Sequence, residues 1–138
     1  MLLGDLLCRN RKLFPDRTAF VFEGKRFTYT EADERANRLA NALIRLGVKR
    51  EGHVAILSKN CNEYLETYFA CARSGSICTT INYRLTLHEL HYVLENSAAN
   101  VVIVSVEFTG SLPRNLSGKV LKKVLREHYW KDQERQVH

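Results

Sequence analysis

The sequence predicts an α/β protein, a partial doubly wound parallel sheet with an amino-terminal β-hairpin, followed by a short loop and helix. Three observations predict it. The runs HVAIL (53–57), SICTTI (76–81) and VVIV (101–104) are short and almost wholly apolar, as strands buried on both faces must be. Amphipathic stretches at helical spacing separate them, which is the alternation of a parallel sheet with helical crossovers. Each of these stretches opens on Thr or Asn with an acidic residue three positions on, the signature of a helix start.

Taken in order, residues 2–13 read as a weakly amphipathic helix stopped by Phe14 and Pro15. The β-rich runs 18–22 and 26–29 flank Glu23, Gly24 and Lys25, which predicts a hairpin. Thr30 with Asp33 predicts the next N-terminus, and Ala32, Ala36, Leu39, Ala40, Leu43 and Ile44 its apolar face, with Gly47 as the stop. After strand 53–57, Asn60 with Glu63 predicts a helix whose apolar face is Cys61, Tyr64, Leu65, Tyr68, Phe69 and Ala72, ending before Gly75. Strand 76–81 follows. Thr86 with Glu89 then starts a helix carrying Leu87, Leu90 and Leu94 to Asn96, and strand 101–104 comes last. Right-handed crossovers are expected throughout.

Composition sets the class. The chain of 138 residues is 45% hydrophobic and 26% charged, ordinary values for a folded soluble protein. No stretch approaches the roughly 20 apolar residues of a membrane span. The start, MLLGDLLCRNRK, places its positive charges after the apolar run, the reverse of a secretory signal. Cys8, Cys61, Cys71 and Cys78 form no C-x-x-C pair and no zinc-ligand spacing; those in helices suit small buried hydrophobes in a reducing compartment. A cytoplasmic protein is the expectation. The net charge of +6 is uneven, because residues 111–138 carry seven Lys or Arg against three Asp or Glu. Such a tail suits an anionic partner. No aromatic-interleaved basic stripe accompanies it, so no nucleic-acid partner is expected.

The stretch LPRNLSGKVLKKVLRE (112–127) concentrates the chemistry. Pro113, Asn115, Ser117 and Gly118 make a turn-rich loop before an amphipathic helix with Val120, Leu121, Val124 and Leu125 on one face. Lys119 stands at the start of that helix, where the dipole repels a cation unless an anion shares the site. On spacing alone it reads first as one more solvated charge on a basic helix. A phosphate-cradling P-loop is excluded, since Gly110 and Gly118 are too far apart and Val120 replaces the Ser or Thr that holds the metal. His88 and His91 share a helix face but lack a third metal ligand. Glu63 and Glu66 read as solvated charges. No metal site is expected.

The segment 113–122 resembles the carboxy-terminal signature of the adenylate-forming, AMP-binding acyl-CoA synthetase family, in which a proline precedes Gly-Lys and a basic helix. FTYTEADERANRLANALIRLGVKREGHVAIL (27–57), NEYLETYFACARSG (62–75) and INYRLTLHELHYVLENSAANVVIV (81–104) resemble that family's opening hairpin and first βα units. The resemblance implies a fatty-acid–CoA ligase type of activity using ATP, Mg2+ and CoA. It implies Lys119 as the catalytic lysine and Gly118 with Lys119 as cofactor-binding residues. It implies that residues 1–105 are the amino-terminal α/β part of an AMP-binding domain and 106–138 a remnant of the smaller carboxy-terminal domain.

The family's central motifs are missing from this sequence: the Ser/Thr/Gly-rich phosphate loop, the Thr-Glu pair for magnesium and adenine, and the Tyr-x-x-Gly-Asp segment. No Mg2+ ligand is identifiable. A lysine without a nucleotide pocket orients nothing, and the advantage of positioned reactants, of order 7–11 kcal/mol, is forfeited. The expectation is therefore a ligase chain impaired or inactive alone. Its alternative is a binding module that holds CoA or a nucleotide through the basic tail, or docks on a full-length synthetase. Faces left uncovered by the internal gap predict homo-oligomers or aggregation.

Overall fold

The structure is a computed structural model that describes residues 2–104. Its elements run α1 (Leu3–Leu13), β1 (Thr18–Phe22), β2 (Lys25–Thr28), α2 (Tyr29–Arg45), β3 (His53–Leu57), α3 (Asn62–Ser74), β4 (Ile77–Ile81), α4 (Leu87–Ser97) and β5 (Val101–Val104). β1 and β2 form the expected antiparallel hairpin. Glu23 and Gly24 both take positive φ (47° and 78°) at its turn, the twist that a tight hairpin needs.

The other three strands form a parallel sheet in the order β4-β3-β5. All five residues of β3 pair in register with β4, and Val54 to Leu57 pair with β5. From β3 the chain moves to one side through α3, then crosses back over β3 through α4. With right-handed crossovers, that reversal carries the two helices to opposite faces of the sheet. The α/β, doubly wound expectation is met.

Helix starts depart from the sequence reading. α2 is capped by Thr28 and Glu31, not by Thr30 and Asp33: Thr28 Oγ1 accepts from the Glu31 amide at 3.2 Å, and Glu31 Oε2 accepts from the Thr28 amide at 2.8 Å. Thr30 instead donates its hydroxyl to the Pro15 carbonyl at 3.1 Å, tying the helix to the preceding loop. Asp33 is buried and committed elsewhere. α3 begins at Asn62 behind Cys61, which makes no side-chain cap, so Asn60 and Glu63 do not form the expected start. Thr86 and Glu89 do form the reciprocal capping box of α4.

Two apolar faces also differ. α2 buries Ala32, Ala36, Ala40 and Leu43, but Ile44 lies past the edge of that stripe and is 55% exposed. α3 buries Glu66, Thr67, Ala70 and Cys71 rather than the bulky Leu65 and Tyr68. The reason is crowding. α3 lies against α2, β3 and β4 at once, and the side chains it turns inward are the small Thr67, Ala70 and Cys71 together with Glu66, which is paired with Arg35. The buried Thr67 hydroxyl is satisfied by donating to the Glu63 carbonyl at 2.7 Å.

Two apolar clusters result. Ala40, Leu43, Val48, Val54, Ala70 and Cys71 form the core between sheet and helices, with Leu39, Cys78, Val101 and Ile103 packed against it. Leu7, Ala32 and Ala36 form the second, under the hairpin residues Ala19 and Phe20. A fully buried Leu43 or Ile56 contributes about 1.5–3 kcal/mol. Between the clusters lies a polar lock. The Asp33 carboxylate, on a residue 2% exposed, accepts from Arg73 Nη2 and from Arg11 Nη1 at 3.1 Å. Arg73 Nε also donates to the Gly4 carbonyl at 3.1 Å, so one guanidinium joins α1, α2 and α3. Gly4 is needed there, since a Cβ would stand 3.0 Å from the Ala72 carbonyl oxygen.

Candidate functional site

Open α/β sheets bind ligands outside the carboxyl ends of their strands, where the strand order reverses. Here the carboxyl ends of β3 and β4, beside the reversal between β3 and β5 rather than at it, hold a crevice of about 510 Å3 lined by Asn60, Cys61, Tyr64, Tyr68, Thr80, Ile81 and Asn82. It is built by the loop after β3, the first two turns of α3 and the end of β4. Tyr64 fixes its floor. The phenol hydroxyl lies 3.2 Å from the Ser58 carbonyl and 3.4 Å from the Ile81 carbonyl, so it bridges the ends of β3 and β4. Burial pushes this phenol above its ordinary value, which keeps it a neutral donor.

Tyr68 stands one turn on, its ring centroid 6.2 Å from that of Tyr64 and tilted by 47°. Ser58 Oγ and Cys61 Sγ lie 3.4 Å apart behind the wall. Asn82 Oδ1 accepts from the Arg84 amide at 3.0 Å, which sets the turn leading to α4 and spends the side-chain oxygen. The lining is thus two amides, two phenols, a hydroxyl, a thiol and an aliphatic side chain. None of these residues carries a positive charge to hold a triphosphate. Among the described residues no group of three or more His, Cys, Asp or Glu converges to hold a metal ion. The crevice offers a ligand aromatic faces and neutral polar groups.

The expected site residues fall differently. Gly118 and Lys119 lie outside the described residues, as does the whole 112–127 motif. His91 pairs with Glu95 at 3.2 Å on the solvent side of α4 and does not converge with His88 on a metal. Glu66 is not the solvated charge expected: it is 8% exposed and accepts from Arg35 Nε at 2.6 Å and Asn62 Nδ2 at 2.8 Å. That bond holds Arg35 above its ordinary value. Glu66 braces α2 against α3. The sequence offered Asn60, Cys61, Tyr64 and Tyr68 only as a helix start and face and not as a site, although Ser-Lys-Asn after 53–57 and Asn-Tyr after 76–81 mark strand ends, the positions where such a site forms.

A parallel α/β wall with a crevice at its strand ends is the architecture of a ligand-binding domain, and the comparisons specify which. The model for AMP-binding enzymes matches residues 8–137, and the chain belongs to that family. A feruloyl-CoA synthase from Amycolatopsis is 36% identical over 87% of this chain and 24% of its own. A 2-succinylbenzoate–CoA ligase from Oceanobacillus iheyensis is 38% identical over 76% of this chain and 22% of its own. The chain spans about a quarter of the length of the curated relatives it matches. Among solved structures, one designated a long-chain-fatty-acid CoA ligase from Rhodopseudomonas palustris superposes with a TM-score of 0.72 at 45% identity, over 75% of this chain and 26% of that one. An O-succinylbenzoate coenzyme A synthetase from Bacillus subtilis, in complex with ATP and magnesium ion, gives 0.68 at 27% identity over 75% and 28%.

Proposed function

We propose that the chain is an acyl-CoA synthetase-type, AMP-forming acid–thiol ligase whose adenylating activity is impaired or absent when it acts alone. Residues 1–105 supply the amino-terminal α/β wall, and residues 106–138 supply a remnant of the carboxy-terminal domain. Lys119, next to Gly118, is the cation that would meet the reacting phosphate. The substrates are a fatty or other carboxylic acid and CoA with ATP, and Mg2+ is implied by the family resemblance, with no ligand for it identifiable in this sequence. The observation that carries the reading is a family match reaching residue 137 in a chain one quarter the length of its relatives. The Lys119 motif lies inside that match, while the central phosphate-loop and magnesium motifs are nowhere in the sequence.

A second reading has its own support. α4 buries none of its residues, Leu87 is 84% and Tyr92 65% exposed, and Val102 and Val104 of β5 are open as well. An apolar face of this kind favours docking, either on a full-length synthetase or between copies of this chain. In that reading the chain is a non-catalytic module, and its basic tail holds CoA or a nucleotide.

ATP–pyrophosphate exchange with a panel of fatty and aromatic acids separates the two. An impaired ligase exchanges far more slowly than a full-length relative, by the five to eight orders of magnitude that lost positioning implies, of order 7–11 kcal/mol. Whatever exchange remains disappears in Lys119→Ala. Exchange insensitive to Lys119→Ala contradicts the assigned role. Exchange indistinguishable from buffer, together with CoA binding by calorimetry, selects the module.

A further inference from the structure

The crevice at the ends of β3 and β4 carries chemistry that the proposed function leaves unassigned. Its volume of about 510 Å3 falls among small-molecule sites, which run from roughly 300 to 1,000 Å3. Tyr64 is held in place, because its hydroxyl is tied to the Ser58 and Ile81 carbonyls at 3.2 and 3.4 Å. Tyr68 is 39% exposed, and its ring is tilted by 47° to that of Tyr64 instead of stacked on it. Ring surface is therefore left for a ligand. The polar groups beside it are neutral. Among the described residues no side chain engages the Asn60 amide, which keeps both a carbonyl acceptor and an NH2 donor. Asn82 commits its oxygen to the Arg84 amide at 3.0 Å and keeps its NH2 donor.

This lining selects by chemistry. A phosphate or a carboxylate meets no cation among the lining residues. An acyl chain meets one aliphatic side chain, Ile81, and would cover amides without giving them partners. A flat heteroaromatic ring with a donor and an acceptor on one edge uses both halves of the site, its face on a tyrosine and its edge on an amide. Adenine is such a ring: its 6-amino group donates, N7 accepts, and an asparagine amide matches the two bidentately. We propose that the crevice binds the adenine base of an adenine nucleotide, with the ring on Tyr68 and the amino edge on the Asn60 amide. Both ATP and CoA carry that base, and its presence here rests on the AMP-forming reading above. The phosphates lie outside the crevice.

Calorimetric titration of the full chain with adenosine tests this, since adenosine has the base and no charge. Adenosine is expected to bind, and guanosine about tenfold more weakly, because guanine presents two acceptors where the Asn60 amide offers one donor and one acceptor. Tyr68→Ala is expected to weaken both nucleosides about tenfold through lost stacking, and Tyr68→Phe to keep them. Asn60→Ala is expected to erase the preference for adenosine. Both positions are exposed, which suits them to substitution. Displacement of adenosine by ATP, by CoA or by both supports the site and identifies the source of the base. Pantetheine, which lacks the base, is expected to displace nothing. Lys119→Ala is expected to bind adenosine as the wild type does, so failure of the exchange assay and failure of the base site are read separately. No adenosine binding at millimolar concentration, equal affinity for adenosine and guanosine, displacement by pantetheine, or binding unchanged in both Tyr68→Ala and Asn60→Ala would each overturn the proposal. The wild-type preference between the nucleosides decides by itself should a variant fail to fold.

Discussion

The two ends of the described fold are finished to different degrees. On the α1–α2–α3 side, two apolar clusters close around a buried carboxylate that two arginines satisfy. On the α4–β5 side, the helix buries nothing completely and the strand alternates half-buried with exposed valines. The same sequence rules built both, down to matching capping boxes at Thr28 and Thr86. Local capping makes a helix; only neighbours on the far side make a core. The closed side completes its own core, whereas the open side leaves large apolar side chains uncovered.

Substitutions on the two sides should therefore differ sharply in cost. Asp33→Ala strands Arg73 and Arg11 beside a buried void and is expected to lower stability by about 3–5 kcal/mol in urea unfolding, the cost of breaking a buried pair by removing one partner. Leu43→Ala opens a cavity in the main core and costs about 2–5 kcal/mol. Thr28→Ala removes the α2 cap and costs about 1 kcal/mol of global stability. Thr86→Ala removes an equivalent cap, yet it should shift the global midpoint less, because α4 frays without opening the core. Leu87→Gln and Tyr92→Ser should change unfolding by no more than about 0.5 kcal/mol. The same pair should reduce self-association in light scattering. Unchanged association would remove the open face as its cause.

Acid sharpens the comparison. The Thr28 amide and hydroxyl hold Glu31 below the ordinary carboxylate value of 4.5, and the Thr86 hydroxyl and amide do the same for Glu89. A folded value depressed below the unfolded one adds stability above about pH 4.5, and that stability is lost as pH falls through the folded value. Protonation should fray α4 first, seen as loss of helical circular dichroism before the cooperative transition, whereas α2 should hold until the core opens.

Much of this was legible in the sequence. The strands 53–57 and 101–104 are where continuous apolar runs put them, because a buried parallel strand has few other ways to read. Thr86 with Glu89 was legible for a like reason, since nothing else competes for either side chain. Thr30 with Asp33 misled because two overlapping capping patterns lie two residues apart, and the choice was made by contacts 15 and 40 residues away, with Pro15 and Arg73. Glu66 looked solvated because an ion pair across two helices leaves no local trace. Leu65 and Tyr68 were misassigned on α3 because large apolar residues usually face inward, whereas here Thr67, Ala70 and Cys71 face the core and an ion pair lets Glu66 join them. The crevice was half legible: its strand ends were marked, but Tyr64 bridging two carbonyls depends on the sheet being assembled.

Amide hydrogen exchange on the full chain measures the difference between the two sides directly. Amides of β3 and of the Thr67–Cys71 turn of α3 should exchange only through global unfolding, while those of α4 and the outer edge of β5 exchange orders of magnitude faster through local opening. Equal protection across α2, α3 and α4 would mean that the α4–β5 side is closed in solution, and the contrast on which this account rests would be gone.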